Sequence, residues 1–158
     1  MRSNPVNCNR RQALAGLVCR IILGGAFYYS GLIKITALPQ EYALYLASYG
    51  IIPQKISLFA AYTLPWLELY LGSFILAGIA TRICSIITAC VILIAGAAAI
   101  YAWSAGLNIP DFHFLAVKPG RHPVIAVIDA VLLAAAAGSF AFGRTSFTID
   151  SWARKGQK

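Results

Sequence analysis

The chain has 158 residues, of which 59% are hydrophobic and 11% charged, and its formal net charge is +8. Soluble domains are typically about 45–50% apolar and about 25% charged, so this composition excludes a soluble globule. A disordered chain, a coiled coil, a collagen-like fibre and a disulfide-stapled miniprotein are excluded because each needs a different composition. The composition therefore predicts a small polytopic membrane protein.

The basic residues and the cysteines each exclude a class of function. The 13 Lys and Arg residues lie mostly at the chain ends and between apolar segments, without a basic stripe along one face. We therefore expect no nucleic-acid partner. Cys8, Cys19, Cys84 and Cys90 occur singly, without the paired spacing of a metal or redox site, and we interpret them as structural.

Four apolar stretches are long enough to cross a bilayer, whose core needs about 20 helical residues. They are Ala13–Ile35, Ile56–Ala80, Ile83–Ala105 and Val124–Phe142. The predicted fold class is an all-α membrane protein, a four-transmembrane-helix bundle over residues 13–142 between tails at residues 1–12 and 143–158. The first stretch contains Arg20 and lacks a small-residue cleavage site, so we expect it to be retained as an anchor.

The basic residues of the loops and tails predict the orientation. The two tails and the second loop carry eight basic residues, and the opposite side has four, namely Lys34 at the end of the first span and Lys55, Lys118 and Arg121 in the loops. The positive-inside rule then places both termini in the cytoplasm, and the expected location is a bacterial inner membrane. The second loop is predicted to be only Thr81-Arg82, which makes the second and third spans an antiparallel hairpin.

The first loop is predicted to contain a short interfacial helix. Its residues 40–49 lie between two prolines and place Tyr42, Tyr45 and Tyr49 on one helical face. We expect these tyrosines to anchor the helix at the level of the lipid headgroups.

Ionisable residues within the spans are the first candidates for function, because lipid does not solvate charge. They are Arg20, Glu68 and Asp129, and Lys34 closes the first span one turn after Ser30. Depth estimates favour a Lys34–Asp129 pair over Lys34–Glu68, and they also allow Arg20 to reach Glu68. Either these groups take part in chemistry or they form a polar network that fixes the helix register.

The third loop contains Asp111 and His113, a carboxylate and an imidazole two residues apart. Such a pair can bind a metal or exchange a proton, but the spacing alone is a weak signal. A solvated loop is the simpler interpretation of the segment.

Residues of the first two spans resemble the DoxX-like superfamily, especially its methylamine-utilisation branch, MauE. The resemblance covers residues 17 to 142 and is most specific in the S-G-x-x-K and P-W-x-E elements. Its residues are Arg20, Gly24, Phe27, Ser30-Gly31, Lys34, Tyr49, Ile52-Pro53, Leu64-Pro65-Trp66, Glu68, Gly72, Leu76, Gly78 and Arg82.

The resemblance implies a four-helix membrane bundle and an association with electron transfer or thiol redox at the membrane. One branch of the superfamily is a subunit of a thiosulfate:quinone oxidoreductase, and MauE is implicated in maturing the disulfide-rich subunit of methylamine dehydrogenase. Many MauE-like proteins carry a C-G-C-F-G motif after the third span. Here the corresponding segment, Pro110–Leu115, contains no cysteine, and Asp111 and His113 occupy the cysteine positions.

The leading functional hypothesis is an accessory protein in the lipid bilayer that supports the maturation of, or electron transfer to, a membrane or periplasmic redox partner. We expect an accessory protein or a subunit of a membrane oxidoreductase system rather than a stand-alone enzyme. Ser30, Lys34, Glu68 and Arg20 form its hypothetical quinone site, in which Lys34 or Ser30 donates to a quinone carbonyl and Glu68 moves protons. The alternatives are a small proton- or ion-coupled transporter and a purely structural membrane subunit.

Overall fold

The computed structural model describes residues 10–50, 52–106 and 122–142 of the chain. The described residues are almost entirely helical and include no β-strand. The helices are α1 (Arg10–Thr36), α2 (Pro39–Ser48), α3 (Gln54–Ala77), α4 (Thr81–Ser104) and α5 (His122–Phe142).

Three of these helices, α1, α3 and α4, are long and apolar enough to cross a membrane. The described apolar part of α5, Val127–Phe142, is shorter than a full span, although the helix itself has 21 residues. The all-helical class and three of the four spans agree with the sequence. The fourth span, the tails and the interfacial position of α2 stay predictions.

The hairpin between α3 and α4 turns earlier than the sequence indicated. Gly78 ends α3 in the left-handed conformation (φ 74°), and the Ile79 amide donates back to the Phe74 carbonyl at 2.9 Å. This arrangement closes the helix because glycine adopts positive φ without strain. The predicted loop Thr81-Arg82 is therefore wrong, since both residues belong to the first turn of α4 and the turn is Gly78–Ala80.

Helix α1 lies at the centre of the arrangement and packs against both α3 and α5. Helix α4 completes the bundle by packing on α5 and, over a smaller contact, on α3, while α2 lies against α3. Along α1 the buried residues recur every three or four positions, from Gly16 to Lys34, so one helical face is turned inward.

The α1 and α3 helices touch backbone to backbone. A β-carbon built on Gly31 would lie 2.7 Å from the Leu69 amide nitrogen and 2.8 Å from the Pro65 carbonyl oxygen. One on Gly72 would lie 2.5 Å from the Tyr28 amide nitrogen. Small residues permit this approach where lipid supplies no hydrophobic force between helices. The contacts also show that the two helices are antiparallel.

The distribution of polar and apolar side chains is inverted relative to a soluble protein. Arg20, Lys34, Glu68 and Asp129 are buried, whereas many large apolar side chains on the outside are exposed, among them Phe59 and Ile94. A contiguous apolar exterior of this kind needs an apolar environment, and the chain therefore associates with a lipid bilayer as a membrane protein.

The glycine contact gives a testable prediction. Gly31→Ala inserts a methyl group against the backbone of α3, and we expect it to lower the free energy of unfolding by about 1–3 kcal/mol. Thermal unfolding in detergent measures the loss. Gly25→Ala is the matched control, because nothing lies within 4 Å of a β-carbon at Gly25. Equal losses in the two variants would contradict the close α1–α3 contact.

Candidate functional site

An ion pair joins α1 to α3 in the interior of the bundle. The Lys34 ammonium donates to both carboxylate oxygens of Glu68, at 2.6 Å to Oε1 and 2.8 Å to Oε2. The Ser30 hydroxyl donates to Oε2 at 2.7 Å. Glu68 is 3% exposed and Lys34 is 8% exposed, so water has little access to either charge. Short charge-assisted hydrogen bonds of this kind are stronger than neutral ones.

This pairing corrects the sequence-based prediction for Lys34. The predicted partner was Asp129, but Lys34 binds Glu68. Because Gly31 contacts Pro65 and Leu69, Glu68 on α3 lies opposite the Ser30–Gly31 level of α1, about one turn from Lys34. The flexible lysine side chain covers that remaining distance.

The predicted pairing of Arg20 with Glu68 is also wrong. Arg20 lies 14 positions before Lys34 on the same helix, which corresponds to about 21 Å along α1. That separation exceeds the reach of an arginine side chain. The structure therefore brings together Ser30, Lys34 and Glu68 and leaves Arg20 outside the site.

Local sequence explains why the three side chains converge. Ser30 and Lys34 are four residues apart on α1 and so project from the same face. On α3, Pro65 and Gly72 flank Glu68 on the buried face, and both take part in the close contact with α1. A short distance between the helix axes lets one carboxylate accept from two residues of the neighbouring helix.

The tyrosines of α2 cover the ion pair. The Lys34 ammonium lies 5.5 Å from the centroid of the Tyr42 ring. The Tyr42 ring stacks on that of Tyr45, and the hydroxyls of Tyr45 and Tyr49 are 2.6 Å apart in a hydrogen bond. Tyr49 then packs on Ala102 of α4. The cluster thus closes the site on the side of α2.

Two of these tyrosines do not occupy the position expected for lipid anchors. Tyr42 and Tyr49 are buried inside the protein. Burial raises the pKa of Tyr42 above its usual range, and the negative charge of Glu68 and the neighbouring Tyr49 add to the rise. The Tyr42 hydroxyl therefore stays neutral at pH 7 and adds no second negative charge beside Glu68.

The chemistry available at this site is limited by its own hydrogen bonds. A quinone carbonyl requires a donor, but Ser30 and Lys34 both donate to Glu68. The cavity of about 350 Å³ that lies between α2 and α3 is lined by Gln40, Ala43, Leu44, Gln54, Lys55 and Leu58, and it includes none of the three. In this arrangement a quinone carbonyl would have to compete with Glu68 for the Ser30 and Lys34 donors.

The remaining candidates lie elsewhere or outside the described residues. Asp129 is buried on α5 and faces Gly96 of α4 rather than the ion pair. Asp111, His113 and Cys8 fall in parts of the chain that the structure does not describe. Cys19, Cys84 and Cys90 are free thiols on α1 and α4.

Sequence reasoning missed two features of the interior. Tyr42 and Tyr49 belong to the site, and their buried position was signalled only by their common helical face. Ser85, Thr88 and Ser139 are buried hydroxyls whose oxygens have no hydrogen-bond partner among the described residues. Because serine and threonine are common in membrane helices, the sequence did not distinguish these three residues from others of their type.

The ion pair gives a second prediction. Glu68→Gln leaves the buried Lys34 ammonium without its counter-charge, which we expect to cost about 3–5 kcal/mol of stability. Thermal unfolding in detergent measures the loss. Glu41→Gln, on the exposed face of α2, is the charge-matched control and should change stability little.

A double variant separates a pairing effect from a packing effect. Lys34→Met with Glu68→Leu removes both charges and keeps apolar volume, so we expect it to recover most of the stability that Glu68→Gln loses. A double variant that is less stable than Glu68→Gln would show that the ion pair is not the source of the effect.

Comparison with known proteins identifies the family of the chain. No curated protein and no solved structure gives a significant match to the chain. A family model, described as methylamine utilisation protein MauE, matches residues 12–143. That range includes every residue of the ion pair, the glycine contact and the tyrosine cluster. The chain therefore belongs to the MauE family.

Proposed function

We propose that this protein is a membrane accessory factor of methylamine utilisation that supports the maturation of, or electron transfer to, a redox partner. The observation that carries the proposal is the match to the MauE family over residues 12–143. The partner that the family suggests is the disulfide-rich subunit of methylamine dehydrogenase. The chain would act as a subunit or helper, with the redox groups supplied by its partners.

The geometry of the ion pair supports an accessory role. Ser30 and Lys34 both donate to Glu68, and the Lys34 ammonium lies 5.5 Å from the Tyr42 ring of α2, so the cluster links α1, α2 and α3. A catalytic site instead keeps a donor or a cavity available for its substrate. The cluster is thus suited to keeping an outer surface in a fixed shape.

The exposed face of α3 is the surface that we assign to a partner within the membrane. Trp66, Tyr70 and Phe74 form a ladder of tilted rings, with centroids 6.3 Å and 6.5 Å apart. Trp66 lies in the middle of α3, about 18 Å from Gln54. Tyr70 is 55% exposed about one turn away.

Tryptophan and tyrosine usually occupy the membrane–water interface, where their polar atoms are hydrated. At the middle of a span the indole N–H and the phenol O–H meet hydrocarbon, which offers no acceptor. A transmembrane helix of the redox partner would supply acceptors and cover the rings. The same polar atoms would also make the contact specific.

The location and orientation are part of the proposal. We propose four spans in a bacterial inner membrane, with residues 1–12 and 143–158 in the cytoplasm, because the basic residues concentrate at the two ends. A reporter that is active only in the periplasm, fused after Lys158, should be inactive. A fusion in the third loop, after Asp111, should be active. The opposite pattern would overturn this orientation.

A complementation experiment tests the function. Deletion of the gene should leave the cysteines of the disulfide-rich subunit of methylamine dehydrogenase accessible to a thiol-specific label, and the wild-type gene should restore their protection. Gel shift of the labelled subunit is the measurement. Unchanged labelling after deletion would overturn a role in maturation, and electron-transfer activity with added partner would then decide the second part of the proposal.

Cross-linking in the same strain tests the α3 surface. A photo-activatable amino acid at Tyr70 should cross-link a redox partner protein that is identified by antibody. The matched control is the same amino acid at Ile94, which is 71% exposed on α4. Equal cross-linking at both positions, or none at Tyr70, would show that the aromatic face is not the contact surface.

A further inference from the structure

Asp129 is a second buried carboxyl, and it lies away from the ion pair. It projects from α5 and is 8% exposed. A β-carbon built on Gly96 of α4 would lie 3.1 Å from its Oδ2 atom. The carboxyl therefore occupies space that a glycine leaves open between α4 and α5.

The hydrogen bonds of Asp129 are incomplete. Its Oδ1 atom is buried and has no hydrogen-bond partner among the described residues. The ion pair between Lys34 and Glu68 is the salt bridge found in the described part of the chain, and it does not include Asp129. The described residues provide no ion pair for Asp129, and its burial limits contact with water, so an ionised carboxylate in this position is strongly unfavourable.

The charged groups on the two helices that pack against α5 do not neutralise Asp129. On α1, Lys34 is bound to Glu68, and Arg20 follows Cys19, which faces Gly138. Gly138 lies about 13 Å from Asp129 along α5, so Arg20 is near a different part of that helix. On α4, Arg82 lies 14 positions from Gly96, or about 21 Å along the helix.

The tyrosines and cysteines are the other titratable side chains that the structure describes on α1 and α4. Tyr28 and Tyr29 on α1 and Tyr101 on α4 are exposed on the outside of the bundle. Cys19, Cys84 and Cys90 are free cysteines on the same two helices. None of these groups supplies a positive charge to Asp129.

We propose that Asp129 is a proton-binding site of the bundle, occupied at neutral pH so that the side chain is a neutral carboxylic acid. Binding forms the carboxyl O–H bond and removes the negative charge, and release returns one proton and a carboxylate. The two buried carboxyls thus hold different states. Lys34 supplies the counter-charge of Glu68 in a salt bridge, whereas a bound proton removes the charge of Asp129.

The difference between the two carboxyls gives Asp129 a role in proton transfer that the ion pair does not have. A proton on Asp129 can leave or return without breaking a salt bridge between helices. Because environments that separate the protonation states of two acids are typical of groups with acid–base roles, Asp129 and not Glu68 is the carboxyl suited to exchanging a proton.

Infrared spectroscopy of the full-length protein in detergent tests the proposal. The wild-type protein at pH 7 should show the C=O stretching band of a protonated carboxyl, shifted in D2O. Asp129→Asn should abolish the band. The chain has only five Asp and Glu residues, so assignment by substitution is practical. Glu41→Gln is the control that removes an exposed carboxyl, and it should leave the band unchanged.

Three results would overturn the proposal. They are the absence of a protonated carboxyl band in the wild-type protein, its persistence in Asp129→Asn, and carboxylate bands of Asp129 that respond to Na⁺ or K⁺, which would indicate a bound cation instead. Gly96→Ala adds a second readout, because its new β-carbon lies 3.1 Å from Oδ2 and should shift the frequency of the band. An unchanged frequency would contradict the Asp129–Gly96 contact.

Discussion

The ion pair between Lys34 and Glu68 is the interaction on which the arrangement of the first three helices depends. A carboxylate or an ammonium alone in the interior of a membrane bundle is strongly unfavourable, so each group requires the other. Their bond is possible only because Gly31 and Gly72 let α1 and α3 meet at the backbone. The polar contact and the small-residue contact therefore act together, and the Tyr42 ring lies 5.5 Å from the Lys34 ammonium.

The interior is polar at a few positions and the exterior is apolar nearly everywhere. This distribution follows from the lipid environment, in which exposed leucine and isoleucine are favourable and an unpaired charge is unfavourable. It also separates two kinds of polar position. Glu68 accepts hydrogen bonds from Ser30 and Lys34 of α1, whereas Asp129 and the hydroxyls of Ser85, Thr88 and Ser139 contain oxygens without a partner among the described residues. Polar positions of the first kind stabilise the fold, and those of the second kind have oxygens available to accept a hydrogen bond.

Membership in the MauE family gives these features a common context. The family's cysteine motif is absent from the segment Pro110–Leu115, so the chain does not supply a dithiol at that position. A closed ion pair, an exposed aromatic face on α3 and a buried acid on α5 are compatible with a protein that supports a redox partner. Support of this kind requires a rigid bundle, a contact surface and, where protons accompany electrons, a site that holds them.

The sequence by itself determined the class of protein and the family. It also identified three helices that are long enough and apolar enough to span a membrane. These follow from composition and from the spacing of residues along one helix, which are local properties. It also identified Ser30, Lys34, Glu68 and Asp129 as polar residues in apolar surroundings. Helical periodicity further grouped Tyr42, Tyr45 and Tyr49 on one face of α2.

Only the tertiary structure decided which of those groups meet. Depth measured from the ends of predicted spans assigned Lys34 to Asp129, because an error of one turn in each helix exceeds the difference between the two possible partners. The contact of Gly31 with Pro65 and Leu69 fixes the relative height of α1 and α3, and that height selects Glu68. The sequence of a single helix shows which residues share a face but not which face of another helix lies opposite, since that depends on packing among all of the helices at once.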